Sequence, residues 1–318
     1  MIRVKSGFGE PMLPTTAEPD AIYLVSPSSA VPDDAPWDLA LSQLRLHGWD
    51  PLIDRDARKQ HQRFAGTDRQ RANALLRAAA QPQARMVMMT RGGYGLMRLL
   101  PLLDWTTLAS AGKFWVGFSD ATAFHLAMLG RTQTETWAGP ALLDDFGHEA
   151  TDQNTCDCLR EAYEGRLKIL GFSLRGQSKT APPLDERGIL WGGNLSMVCA
   201  MLGSHWLPHA PSKGILFLED VGEHPYRIER MLLQLLYSGV IDSQRAVLLG
   251  EFTNYRLSER DRGYDLRQAL GWVRKQTRVP ILEGLPFGHT PLKLTLPHGR
   301  RIGLATEARK AYLLLEDS

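Results

Sequence analysis

The chain has 318 residues, 43% of them hydrophobic and 23% charged, which suits two globular domains with full cores better than one small stapled module. A formal net charge of +2, with acids interspersed among the bases, excludes the dense basic face of a nucleic-acid binder. Three cysteines, Cys156, Cys158 and Cys199, are too few and too closely spaced for a disulfide framework or a zinc knuckle.

The chain opens Met1-Ile2-Arg3-Val4-Lys5 and soon reaches Gly, Pro and acids, without the apolar core of a secretory leader. No later stretch reaches the ~20 apolar residues of a membrane span, so a cytoplasmic protein without a membrane partner is expected. Ala21–Val25 reads as a strand ending in Ser26-Pro27-Ser28-Ser29. Pro36–His47 reads as a helix stopped by Gly48, and Asp68–Ala80 as a second helix capped by Thr67. Ala84–Met89 is an apolar strand, followed by Arg91-Gly92-Gly93-Tyr94-Gly95 and a further helix. Phe114–Phe118 is the next strand and Asp120–Leu129 the next helix. Strands alternating with helices imply a doubly wound, mostly parallel sheet over residues 1–170.

Residues 171–187 are polar and turn-rich, and read as a linker. Residues 188–318 then form a smaller, β-rich α/β domain. Its strands are expected at Gly188–Trp191, Gly214–Leu218 and Ala246–Gly250, with a helix over Pro225–Tyr237. From about Lys293 three short apolar runs, separated by turns at 297–300 and 306–307, suggest a β-rich end.

Four segments carry chemistry. In Val116-Gly117-Phe118-Ser119-Asp120-Ala121 an apolar strand runs into a serine and a helix starts at once. Such a turn pushes the hydroxyl out at the carboxyl end of the sheet and aims the following N–H groups at a ligand. Ser and Asp are equally common as ordinary helix caps, so this segment alone does not decide. The three glycines of 91–95 let backbone N–H groups approach an oxyanion or a phosphate. Glu219, Asp220 and Glu223 follow the strand Leu216–Leu218, where a carboxylate can orient a histidine. His289 sits in the loop Pro286-Phe287-Gly288-His289, placed to present a proton carrier. The other eight histidines make no metal-binding spacing, and no metal or cofactor is expected. Together these segments supply nucleophile, acid, base and donor loop for acyl transfer.

Five motifs, in order, resemble the murein tetrapeptide L,D-carboxypeptidase family, which also includes the microcin-immunity peptidases. They are Arg91-Gly92-Gly93-Tyr94-Gly95, Gly117-Phe118-Ser119-Asp120, Gly192-Gly193-Asn194-Leu195-Ser196, Leu218–Glu223 with Pro225–Arg230, and Gly288-His289. The resemblance runs from about residue 20 to the end. It implies Ser119 as nucleophile, Glu219 as acid and His289 as base, with the N–H groups of Gly93 and Asp120 as the oxyanion hole. It also implies a murein peptide substrate and a homodimer. Trp191 and Asn194 fall on a segment expected to line the substrate, and Arg91 and Arg227 are candidates for its terminal carboxylate. Asp220 and Glu223 stay open as alternative acids. A microcin-type immunity peptidase is the nearest alternative function, and a non-catalytic module binding an anionic ligand is the alternative of another class.

Overall fold

Local sequence dictates most elements of the N-terminal half. The computed structural model describes residues 19–207 and 209–315. Strand β1 (Asp20–Val25) leads to helix α1 (Trp37–Leu46), which Gly48 ends at φ +78°, a conformation that costs glycine nothing. Strand β2 (Trp49–Ile53) follows at once. Helix α2 (Asp68–Ala80) starts from a reciprocal capping box between Thr67 and Gln70. After β3 (Met86–Met89) the helix expected beyond Gly95 is instead two 3-10 turns, Leu96–Arg98 and Leu100–Leu102, the second carrying Pro101 near its start. A proline has no N–H to continue a helical ladder. Then come α3 (Trp105–Ser110), β4 (Phe114–Gly117), α4 (Thr122–Thr132), β5 (Thr136–Ala138), α5 (Leu142–Phe146) and α6 (Gln153–Tyr163). Every residue of α4 from Thr122 to Leu129 is buried, as expected of a helix that is apolar nearly all round.

The second half contains β6 (Ile169–Ser173), β7 (Asp185–Asn194), α7 (Leu195–Met201), β8 (Ile215–Val221), α8 (Pro225–Tyr237), β9 (Ala246–Thr253), α9 (Leu266–Arg274) and β10 (Ile281–Glu283). It ends in β11 (Leu296–His298), β12 (Arg301–Glu307) and β13 (Lys310–Leu314). Residues 171–187, expected as a linker, include the end of β6, a 3-10 turn at Gly176–Thr180 and the start of β7. The polar turn residues there punctuate a sheet, and β6 pairs antiparallel with β13.

The described chain divides into two compact units. One holds residues 19–166 together with Pro291–Pro297; the other holds Leu167–Thr290 and residues 298–315. The first unit carries a six-stranded sheet in the order β11-β5-β4-β3-β1-β2, with β1 through β5 joined by parallel pairings. This is a doubly wound sheet, but its β11 edge comes from far along the chain. The second carries a seven-stranded sheet, β10-β9-β8-β7-β12-β13-β6. Its β7 to β10 side is parallel and its β12, β13 and β6 side antiparallel. In the first sheet the chain order reverses between β1 and β3, and crevices at such reversals are where open α/β sheets bind ligands.

Candidate active site

Ser119 follows the end of β4 after one intervening residue, Phe118, and has φ +62°, a left-handed conformation uncommon for a residue with a Cβ. The backbone thus has the sharp strand-to-helix elbow expected here. A 3-10 turn at Ser119–Ala121 precedes α4, so N–H groups follow the serine without delay. Beneath the elbow lies the fully buried His125 of α4. Its Nε2 is 2.9 Å from the Gly117 carbonyl oxygen and its Nδ1 is 2.8 Å from the Thr136 hydroxyl. A carbonyl only accepts, so Nε2 carries the proton and Nδ1 accepts from Thr136. Burial pushes this imidazole down to about 4, so it is neutral near pH 7.

The glycine-rich loop after β3 packs against that elbow. A Cβ on Gly92 would lie 2.7 Å from the Ser119 Cβ and 2.8 Å from its Oγ. Gly93 has φ +104°, and a Cβ there would come within 2.2 Å of the Ser29 Oγ. Glycine is therefore required at both positions for the loop to approach so closely. Ser29, in the loop after β1, accepts a hydrogen bond from the Tyr94 N–H at 3.0 Å. Carboxyl-end loops of three neighbouring parallel strands thus meet at Ser29, Gly92–Gly93 and Ser119. The Asp120 side chain is buried, and its Oδ2 accepts from the Leu96 N–H at 2.9 Å. Burial raises its carboxyl above the usual range, opposed by the Leu96 N–H and the nearby Arg71.

In the second unit Glu219 is fully buried on β8, beside a register irregularity between Leu218 and Asp220. Bulges of this kind re-aim side chains next to active sites. Its Oε2 lies 2.8 Å from Nδ1 of His289. That bond makes Nδ1 the protonated nitrogen of the neutral ring and Nε2 the basic one. The loop carrying His289 is laid along β9 by backbone bonds: Leu285 N–H to Leu249 O and Glu251 N–H to Phe287 O. Two glycines make this approach possible. A Cβ on Gly250 would sit 2.3 Å from the Phe287 oxygen, and Gly288 has φ +139° with Glu219 against it.

The geometry separates the three acids left open by the sequence. Asp220 is occupied elsewhere: its carboxylate accepts from the Ser196 N–H and hydroxyl, the Val221 N–H and the Asn194 amide. Glu223 pairs with the exposed Arg227 one helical turn on. Only Glu219 of the three reaches His289. Asn194, expected to line the substrate, caps α7 and donates its amide to both Glu219 (3.3 Å) and Asp220 (2.9 Å). Its amide thereby ties the two neighbouring carboxylates together. Trp191 is fully buried, with its indole N–H donated to Gln244 at 2.9 Å, which makes it a core residue of β7. Arg91 donates through Nη1 to the Ala30 carbonyl. Sequence reasoning missed Ser29 as a loop support and Asn194 as a partner of Glu219. Ser29 had a usable signal, since a serine cluster closes the first strand. Among the described residues, no group of three or more His, Cys, Asp or Glu is placed to hold a metal ion, and no helix is long and apolar enough to cross a membrane.

The chain is similar to known proteins over most of its length. Residues 22–139 match the LD-carboxypeptidase N-terminal domain and residues 187–304 the LD-carboxypeptidase C-terminal domain. The murein tetrapeptide carboxypeptidase of Pseudomonas aeruginosa is 33% identical over 286 residues, covering 88% of this chain and 91% of that protein. The solved muramoyltetrapeptide carboxypeptidase of Oxalobacter formigenes is 38% identical with a TM-score of 0.85, over 93% of this chain and 99% of that one. The microcin C7 self-immunity protein of Escherichia coli is 27% identical over 272 residues, 76% of each chain. The chain belongs to the LD-carboxypeptidase family of serine peptidases.

Proposed function

We propose that the protein is a serine-type L,D-carboxypeptidase that removes the terminal D-alanine of murein tetrapeptide, with Ser119, His289 and Glu219 as its triad. The observation that carries the reading is the 2.8 Å bond between the buried Glu219 carboxylate and His289 Nδ1. It leaves Nε2 as the basic nitrogen, which takes the Ser119 proton as Oγ attacks the carbonyl of the L-centre. Glu219 keeps the ring in this tautomer and stabilises the imidazolium. The N–H groups of Gly93 and Asp120 hold the oxyanion, aided by the start of α4. Nε2 then gives its proton to the departing D-alanine nitrogen. Water, deprotonated by the same histidine, releases the acyl group. Arg91, in the donor loop, is our candidate for the substrate's terminal carboxylate. The resemblance also supports a cytoplasmic homodimer that engages murein peptide without nucleic acid or membrane.

The kinship with the microcin C7 self-immunity protein keeps a second substrate class in view, an aminoacyl nucleotide cleaved by the same triad. Incubating the protein with murein tetrapeptide, a D,D-linked pentapeptide and an aminoacyl-adenylate analogue separates the readings. Release of D-alanine from the tetrapeptide alone is expected. Cleavage of the adenylate alone would transfer the assignment to the immunity class. A Ser119→Ala protein that folds normally should lose turnover by at least ~10³-fold, and near-normal turnover would overturn the triad. Failure of a fluorophosphonate to label Ser119, together with tight binding of an anionic ligand, would instead indicate a non-catalytic module.

A further inference from the structure

The peptide unit joining Gly95 to Leu96 is gripped at both ends by buried charge. Its carbonyl oxygen accepts from Arg71 Nη1 at 3.0 Å, and its N–H donates to Asp120 Oδ2 at 2.9 Å. Arg71 is a fully buried residue of α2, seated among alanines and a leucine. The same Nη1 also donates to the Pro27 carbonyl, in the loop after β1. Nη2 pairs with Asp68, and the guanidinium carbon lies 4.7 Å from the centre of the Phe64 ring. Gly95, at φ +136°, has no side chain because one would strike Arg71: a Cβ there would lie 2.7 Å from Nη1.

We propose that Arg71 and the Asp120 side chain are positioning residues that clamp the glycine-rich loop against the Ser119 elbow and so fix the oxyanion-binding N–H groups. The inference rests on the serine-hydrolase reading above. Residues 91–95 contain three glycines, and glycine backbone loses more freedom on ordering than any other. Such a loop has few side chains with which to define its own conformation. Order is imposed from outside, by a cation that ties it to the loop after β1 and an anion that ties it to the residue following Ser119. Asp120 thereby has two separate parts. Its main-chain N–H faces the oxyanion, and its carboxylate sets the distance from the elbow to the other donor. A donor misplaced by about 1 Å can cost ~10²-fold in rate, because the site works by preorganisation.

The test is a steady-state comparison on murein tetrapeptide, with fluorophosphonate labelling of Ser119 in parallel. Wild type is measured first: no turnover and no labelling there would defeat the underlying reading before the clamp is touched. With wild type active, Asp120→Ala should lower kcat by ~10²-fold with KM changed by less than about three-fold. Asp120→Asn, whose amide oxygen still accepts from Leu96, should recover at least about ten-fold of that loss. Arg71→Met should behave like Asp120→Ala, and labelling rates should fall in step with kcat. A folded Asp120→Ala enzyme with kcat within about two-fold of wild type, a loss confined to KM, or an Asn variant no better than Ala would overturn the clamp. Should Asp120→Ala and Arg71→Met not fold, amide exchange in the wild-type protein decides. A Leu96 amide as protected as the strand amides of β3 supports the clamp; one exchanging at the rate of an open loop rejects it.

Discussion

At the scale of single residues, charge is sorted by what each carboxylate touches. Glu219 and Asp220 are adjacent, both are buried, and both accept from Asn194, yet only Glu219 reaches His289. Glu219→Gln keeps the shape but no longer enforces the productive tautomer, so kcat is expected to fall by ~10³–10⁴-fold with little change in folding. Asp220→Asn should act in the opposite sense. It weakens bonds from Ser196 and Val221, and is expected to lower the unfolding temperature while changing kcat less than Glu219→Gln does. Glu223→Gln frees the exposed Arg227 and should leave kcat within about two-fold. Kinetics and thermal melts of the three variants check this ordering, and a Glu223→Gln enzyme as impaired as Glu219→Gln would reverse it. In the sequence, only the resemblance and a place at the end of the apolar run favour Glu219 over its two neighbours. All three follow one apolar strand, and the choice depends on a bulge and on an asparagine 25 positions upstream of Glu219 whose amide arrives through sheet pairing. The elbow at Ser119 is legible because its signal is local, a strand, a turn and a helix within a few residues. Trp191 enters only through the resemblance, and its burial and the donation of its indole N–H to Gln244 depend on sheet packing that no local motif displays.

At the scale of elements, the strands with strong apolar runs and the helices α1, α2, α4 and α8 are readable from sequence, whereas α3, α7 and α9 are not, although Asp104, Asn194 and Asp265 cap them. β2 is interrupted by Asp50 and Pro51 and β5 has only three residues, so neither shows an apolar run, and their places follow from pairing with β1 and β4. The helix expected after Gly95 failed on Pro101. The tie among β4, β5 and α4 runs through one buried imidazole. His125 binds Gly117 of β4 and Thr136 of β5 as a neutral ring, with its pKa pushed down by burial to about 4 from an ordinary 6.5. Above pH 6.5 the ring is neutral whether the chain is folded or not, and it adds no pH dependence. Between 6.5 and about 4 the unfolded chain takes up the proton and the folded one does not. Stability is therefore lost as the pH falls through that window, by roughly 3 kcal/mol in all from this group. His125→Gln, which keeps an amide donor for Gly117, should flatten this part of the profile. Urea midpoints of both proteins at pH 7 and pH 4.5 test it, and parallel acid losses would assign the effect to other groups. The glycines of β9 make a second demand at this scale. Gly250→Ala would drive a methyl group to 2.3 Å from the Phe287 oxygen and must lift the loop that presents His289, so kcat should fall by about ten-fold or more.

At the scale of the whole molecule, the chain does not finish one unit before serving the other. Pro291–Pro297 belongs to the unit built from residues 19–166, although the strands on either side of it in sequence, β10 and β12, lie in the second sheet. Periodicity cannot reveal this, because β11 reads like any short strand of a β-rich tail. The hold on the segment is chemical. Lys293 Nζ lies 2.8 and 3.0 Å from the two Asp145 oxygens, its main-chain N–H donates to the Thr155 hydroxyl, and its ammonium sits 3.3 Å from the centre of the Phe118 ring. Both charged side chains are about 1% exposed. Cys158 of α6 adds a further tie, accepting from the Thr295 N–H at 3.2 Å, and burial pushes its thiol up to about 12, so it stays protonated. Removing one member of a buried pair leaves the other charge without compensation, so Lys293→Met is expected to destabilise the first unit by ~3–5 kcal/mol. Asp145 also accepts from the Ala141 N–H. Adding Asp145→Asn to Lys293→Met therefore removes the stranded charge while leaving that N–H an acceptor, and should recover at least about half of the loss. Phe118 is the residue before Ser119, so the single variant should also lose turnover when assayed well below its melting temperature. Denaturant midpoints and kcat for the two proteins check the argument. A double variant no more stable than Lys293→Met would mean that the stranded carboxylate was not the source of the loss, and that the packing of Lys293 against Phe118 was.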